Sequence, residues 1–381
     1  HKLYTCRPFY RLLIASSGIQ TLLHHGLETH RLIIKNKELD QSFERFIKVT
    51  GILDEGRIDD TYCFNEPENH AGVFNGVCLG NCSEIIEYSS PTESAVCNLA
   101  SLALPAYVRA STRTFDFAKL REVVKVVIKN LNRVIDINFY PTQETKTSNM
   151  RHRPVGLGVQ GLSDVFALLR VPWESEQAAE LNQLIFEHIY YAAVESSCEI
   201  AQTDGPYSTF EGSPMSQGLF QYDLWKVTPR TAQEGGSVFS EEKDQTLPWA
   251  SLKDRVKAHG VRNSLLVAPM PTASTSQIMG NTEAVEPLTS NIYSRRTLAG
   301  EFIVINKHLM ADLKKLDLWN EMMKQQIIAR NGSIQGIDII PEGIQKLYKT
   351  AWEIKQKTLI DMAAARGAFI CQSQSLNLFV A

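Results

Sequence analysis

Beyond about residue 82, apolar residues recur with a helical period. Phe117, Leu120, Val123, Val124, Val127, Ile128, Leu131 and Val134 fall at i, i+3, i+4 and i+7, with Asp116 where an N-cap belongs. That spacing predicts an amphipathic helix. A second helix is expected over about 175–203, stopped by Gly205-Pro206, and a third over about 343–366, ahead of Gly367. Between them stand the short apolar runs "SLLVAP" (264–269) and "SLNLFVA" (375–381), continuous enough for strands buried on both faces. Helices alternating with such runs predict an α/β sheet or barrel. The segment "TAQEGGSVFSEEKDQT" (231–246), rich in Gly, Ser and charge, reads as a surface loop without catalytic content. Upstream the pattern changes. From Phe43 to Val77, short β-branched runs are separated by Gly, Asp, Asn and Pro, an all-β signature. Residues 1–40 mix a helix-like "FYRLLIASSGIQTLL" with a strand-like "THRLIIKN", in an α/β style. No internal repeat is present, and a boundary falls near residue 82.

Composition narrows the partners. A chain of 381 residues with 44% hydrophobic content has room for two to three domains with real cores. A net charge of −3 and a pI near 6.4 supply no basic field for sequence-independent nucleic-acid binding. Apolar runs such as Leu265–Met270 fall far short of the roughly 20 residues that a membrane helix needs, so no membrane partner is expected. The seven cysteines (6, 63, 78, 82, 97, 198 and 371) are odd in number and form no CxxC pair, and no signal peptide is visible. A reducing, cytoplasmic location is expected. The chain opens on His1 and closes on an apolar run, so both ends are expected to be cuts in a longer protein.

Two stretches carry candidate chemistry. Cys82 and Glu84 stand two apart in "NCSEI", and Cys97 follows in "AVCNLASLAL". A lone cysteine is more often a small core residue than a reagent. In "APMPTASTSQIMGN", Pro271, Thr272, Ala273, Ser274 and Thr275 follow the apolar run Leu265–Ala268. Small hydroxyl residues opening a helix after a strand suit an anion such as a phosphate, and they equally suit a helix cap.

Taken together, "CSEIIEYSSPTESAVCNLASLAL", "RHRPVGLGVQGLSDVF", "RNSLLVAPMPTASTSQIMGN", "EPLTSNIYSRRTLAGEF", "IIARNGSIQGI" and "AAARGAFICQSQSLNL" resemble the catalytic barrel of class I ribonucleotide reductase large subunits. The resemblance covers about 300 residues, 82–381. It implies a ten-stranded α/β barrel with a finger loop, and reduction of ribonucleoside diphosphates to 2′-deoxyribonucleoside diphosphates by thiyl-radical chemistry. By resemblance Cys82 is the thiyl residue, Glu84 the carboxylate that takes the 3′-OH proton, and Cys97 one of the two thiols that supply reducing electrons. Residues 271–275 match the substrate diphosphate loop. No cofactor is implied in this chain itself. The implied partners are a metal-containing small subunit that generates the radical, thioredoxin or glutaredoxin as electron donor, and a second large subunit. The second redox cysteine and an asparagine would lie upstream, and a tyrosine pair and tail cysteines would follow Ala381. Cys198 and Cys371 match no family role and are expected to be core residues.

The preceding text resembles something else. "IKVTGILDEGRIDDTYCFNEPENHAGVFNGVCLGN" is similar to the C-terminal splicing blocks of inteins: a strand pair, His70, an "FNG" turn, a short strand and a terminal Asn81. The Asn81 side chain would attack its own carbonyl, and Cys82 would be the nucleophile that accepts the upstream segment. Inteins usually carry His before the last Asn, where this chain has Gly80. The expected organisation is therefore 1–42 as the tail of a homing-endonuclease-like insert without an acidic metal motif, 43–81 as a partial all-β splicing segment, and 82–381 as the reductase barrel. The alternative is a self-processing fragment attached to a non-functional reductase relic.

Overall fold

The computed structural model describes the backbone of the strands β1 (Ala71–Phe74) and β2 (Val77–Gly80), and residues 84–232, 236–241, 246–297 and 300–379. The chain divides into two compact units, His1–Cys82 and Ser83–Ala381. In the first, β1 and β2 pair antiparallel with Phe74 opposite Val77. The two residues between them in sequence are Asn75 and Gly76, the commonest pair for a two-residue hairpin. This hairpin falls where the "FNG" turn and short strand are expected. Residues 1–42, His70, Asn81 and Cys82 lie outside the described residues.

The second unit is built on parallel extended segments. Strand β3 (Leu99–Ala103) is followed by the two-residue β4 (Val108–Arg109) and β5 (Thr114–Phe115), then by helices α1 (Phe117–Ile137) and α2 (Gln143–His152) and strand β6 (Gly156–Gln160). β6 lies parallel to β3, with Leu99 opposite Gly156. On the other side of β6, Leu157 bridges in parallel to Val267 within the "SLLVAP" run. The next neighbour is the segment after residue 370, where Gln372 N donates to Val267 O at 3.2 Å and Ser375 N to Pro269 O at 2.9 Å. Ser373 N in turn donates to Glu84 O at 3.1 Å. Five segments thus lie side by side in the order 84–86, 372–375, 265–269, 155–160, 98–103. The expected strand over 375–381 is present only as this extended segment, because its described part makes single hydrogen bonds rather than a ladder.

Helices cover the arc. After β6 come α3 (Leu162–Leu169), α4 (Glu176–Asp204), α5 (Gln221–Leu224), α6 (Trp249–His259) and α7 (Thr275–Met279). A hairpin of β7 (Ile292–Thr297) and β8 (Gly300–Ile305) precedes α8 (Lys307–Lys315), α9 (Glu321–Ala329), α10 (Glu342–Leu347) and α11 (Gln356–Gly367). The first two expected helices stand as predicted. Asp116 caps α1 by accepting from Lys119 N at 2.9 Å, and α4 runs from its Ser175 cap to Gly205. Leu120, Val124, Ile128 and Ile135 of α1 are fully buried in a core shared with Ile185, Ile189 and Val194 of α4. The third expected helix is two. Between α10 and α11 the chain turns at Thr350–Lys355, where Glu353 accepts from Thr350 N and the Gln356 side chain donates back to the carbonyls of Ala351 and Ile354. These side-chain bonds take backbone groups that a continuous helix would use.

The expected surface loop 231–246 is anchored at two points. Thr231 is buried and donates through N and Oγ1 to Glu187, while Phe239 is buried and its carbonyl accepts from Phe115 N at 2.6 Å. Composition concealed both anchors, since each is one residue within a polar run. Among the described residues no helix is long and apolar enough to cross a membrane.

Candidate functional site

Of the residues singled out from the sequence, Glu84 and Cys97 fall at the starts of these segments, and residues 271–275 follow the finish of one. Glu84 is buried at the start of the arc, and its carbonyl pairs with Ser373. Three residues on, both carboxylate oxygens of Glu87 are buried, and among the described residues neither meets a donor in close hydrogen-bond geometry. Burial raises its pKa to about 7, and the nearby Gln372 amide offsets part of that rise. Gln372 itself stitches the neighbouring segments, accepting from Ile86 N at 3.0 Å and donating to Val155 O at 3.1 Å. Cys97 is exposed two residues before β3. Cys198 is fully buried in the core, and Cys371 sits against the backbone, its Sγ accepting from the amides of Leu266 and Val267. Burial pushes both of those thiols up in pKa, which suits packing rather than nucleophilic attack.

The loop after the central segment has an unusual backbone. Thr272 adopts φ 53° and Ala284, at the loop's return, φ 39°. Each such left-handed residue other than glycine costs on the order of 1–2 kcal/mol, most for a β-branched one. The two are joined, because Ala284 N donates to Thr272 Oγ1 at 2.8 Å. Thr272 O also accepts from Ser276 through both N (3.0 Å) and Oγ (2.7 Å). With the Thr272 side chain turned inward, Pro271, Ala273, Ser274 and Thr275 are exposed. The Ser274 side chain makes no capping bond to α7, so the capping alternative is not realised at that residue. Among the described residues the amides of Ala273, Ser274 and Thr275 have no backbone acceptor. They form a short row of donors suited to an anion.

The return limb is held from α3. Gly161 caps that helix at φ 84°, and a Cβ there would lie 2.6 Å from the Pro105 ring, so both conformation and space require glycine. Gly161 N donates to Thr282 O at 2.9 Å. In the first turn of α3, Asp164 is buried, and its Oδ2 accepts from Thr282 N (2.6 Å) and Thr282 Oγ1 (2.8 Å). Its Oδ1 meets His308 Nε2 at 2.8 Å and Lys307 Nζ at 3.4 Å. Burial pushes the Asp164 pKa up, but the His308 and Thr282 hydrogen bonds and the Lys307 charge outweigh it, so the carboxyl stays below its ordinary value. Asp164, Thr282 and His308 line a small cleft with Asn306, Tyr348 and Lys349. Sequence reasoning missed Asp164 and His308. The available signal was one acid in the otherwise apolar "LSDVFALL".

This is an α/β barrel-like domain with an anion-suited loop and buried acids at its segment ends. Comparison with known proteins narrows the class. Residues 63–381 match the family model described as ribonucleotide reductase, barrel domain. The chain is 59% identical over 323 residues to the ribonucleoside-diphosphate reductase large subunit of Trypanosoma brucei brucei, covering 84% of this chain and 38% of that protein. It is 56% identical over 317 residues to the large subunit of Danio rerio, covering 83% and 38%. Among solved structures it is similar to the Actinobacillus ureae class Id ribonucleotide reductase alpha subunit, with a TM-score of 0.56 and 25% identity over 78% of this chain and 46% of that one. The chain belongs to the ribonucleotide reductase barrel-domain family. It spans under two fifths of the length of these curated relatives.

Proposed function

We propose that this chain is the catalytic-barrel part of a ribonucleoside-diphosphate reductase large subunit, with a ten-stranded barrel and Cys82 on its finger loop. The carrying observation is the family match, which runs through Cys82, Glu84, Cys97 and the 271–275 loop. In this reading a thiyl radical on Cys82 removes the ribose 3′ hydrogen, and the 2′-OH leaves as water while Glu84 takes the 3′-OH proton. Cys97 and a second thiol from outside this chain supply two electrons and close to a disulfide. Reduced thioredoxin or glutaredoxin restores the pair. The Cys82 radical originates in a metal-containing small subunit, and the large subunit acts as a homodimer in the cytoplasm. The amides of the exposed residues 273–275 receive the substrate diphosphate. In the complete subunit Cys82→Ser or Glu84→Gln should abolish reduction while substrate still binds; retained turnover in Cys82→Ser sinks the thiyl assignment.

A second reading concerns the upstream unit, favoured by the β1–β2 hairpin that ends one residue before Asn81-Cys82. Residues 43–81 would then be a C-terminal intein segment that releases the reductase by splicing at Cys82, with 1–42 belonging to an endonuclease-like insert. The family match begins at residue 63, upstream of that junction, and so weighs against a boundary at 81. Peptide mass spectrometry on the product of the upstream-extended gene decides. Leu before Cys82 supports splicing, whereas Asn81 before Cys82 refutes it.

A further inference from the structure

Resting on the reading of residues 271–275 as the diphosphate loop, the question is what keeps that loop in shape. Backbone in sparsely populated regions persists only where its surroundings hold it from several sides. Thr272 and Ala284 are both in the left-handed region, at opposite limbs of one loop, and one hydrogen bond joins them. Backbone bonds from the start of α3 hold the return limb as well, Gly161 N donating to Thr282 O at 2.9 Å and Leu162 N to Ala284 O at 3.4 Å. The side chain that adds to them is Asp164, whose Oδ2 receives both donors of Thr282, two residues before Ala284. Its Oδ1 faces His308 and Lys307, the first residues of α8. One buried carboxylate therefore joins α3, the loop's return and α8.

We propose that Asp164, held by His308, is a positioning residue for the diphosphate-binding loop: it fixes the return limb so that the amides of 273–275 stand fixed toward the ligand before it arrives. It touches no substrate atom. The gain is preorganisation, since donors already in place lose less freedom when the anion binds. The loop's contribution to affinity, rather than the sugar or base contacts, is what Asp164 controls.

The test uses the complete large subunit and equilibrium binding of a ribonucleoside diphosphate alongside the same nucleoside without phosphates. Asp164→Asn turns one acceptor into a donor facing Thr282 or His308. It should weaken the diphosphate about tenfold while leaving nucleoside affinity unchanged, and should raise KM with kcat at saturation held within about twofold. His308→Ala should show a smaller loss of the same kind, and His308→Gln, which keeps a donor toward Oδ1, should restore it. Equal weakening of both ligands, or no weakening of either, overturns the positioning role. A third variant, Thr272→Ala with Ser274→Ala, tests the underlying reading. If it retains the preference for diphosphate, the loop assignment itself fails. If it loses that preference while Asp164→Asn keeps it, only the positioning role fails. Should Asp164→Asn not fold, His308→Ala and His308→Gln decide instead: a diphosphate-specific loss in the first that the second restores supports the positioning role, and its absence overturns it.

Discussion

Replacing Glu87 by Gln should stabilise the barrel unit, and by an amount that depends on pH. Both Glu87 oxygens are buried with no close hydrogen-bond donor among the described residues, and burial lifts its pKa from 4.5 to about 7. A folded-state pKa above the unfolded one means that the native state binds the extra proton, so stability falls as pH rises between the two values. At ~1.36 kcal/mol per pKa unit, the wild-type penalty is roughly 0.8 kcal/mol at pH 5 and roughly 3 kcal/mol at pH 8. Glutamine has the shape of the protonated acid and no charge to bury. The assay is guanidinium unfolding of both proteins from pH 5 to 8, read by tryptophan fluorescence. All five tryptophans lie beyond residue 82, so the signal reports on this unit. The difference between variant and wild type should widen by about 2–3 kcal/mol over that range. A difference that stays flat with pH refutes the argument, because it would mean that Glu87 is ionised and satisfied in the folded protein.

Other outcomes follow from single contacts. Thr272→Ala and Ser274→Ala should weaken nucleotide binding in equilibrium titrations, and unchanged affinity would return the loop to a structural role. Gly161→Ala should destabilise the unit by about 2–4 kcal/mol in thermal unfolding, combining left-handed strain with the contact on Pro105. Asn263→Ala should lower stability by about 3 kcal/mol in the same assay, because its fully buried amide bonds Asn132, Ser197 and the Arg153 carbonyl, all of which would lose partners.

The long helices were readable because their signal is distributed. Eight apolar positions at helical spacing after Asp116 cannot easily be produced by chance, and α1 and α4 begin and end within a few residues of expectation. The break between α10 and α11 was not readable, because Glu353 and Gln356 are good helix residues whose side chains find backbone partners only in the folded chain. The same limit applied to the site. Glu84, Cys97 and 271–275 came from family motifs, since two spaced residues and a run of small hydroxyls carry little information alone. Asp164 looked like any acid in a helix's first turn. Its role depends on Thr282 and His308, which lie 118 and 144 positions away.

Asp164 and Glu87 show how one chemical group acquires opposite states within a single domain. Burial disfavours the ionised form of both. Asp164 is given two donors from Thr282, one from His308 and the charge of Lys307, and its pKa falls below the ordinary value. Glu87 has only the nearby Gln372 amide to offset its burial, and its pKa rises. Donor supply, not depth, decides which way each moves. The linkage signs follow. Asp164 contributes stability that is fully present above its unfolded pKa and is lost as acid brings the pH down through the lower folded value. Glu87 contributes a penalty that is absent in acid and grows as pH rises from 4.5 to about 7. Glu87→Gln should therefore flatten the neutral side of the unit's stability profile and leave the acid side alone, whereas Asp164→Asn should do the reverse. A pair of variants that altered the same limb would show that the two carboxyls share one environment, contrary to their separate hydrogen-bond surroundings.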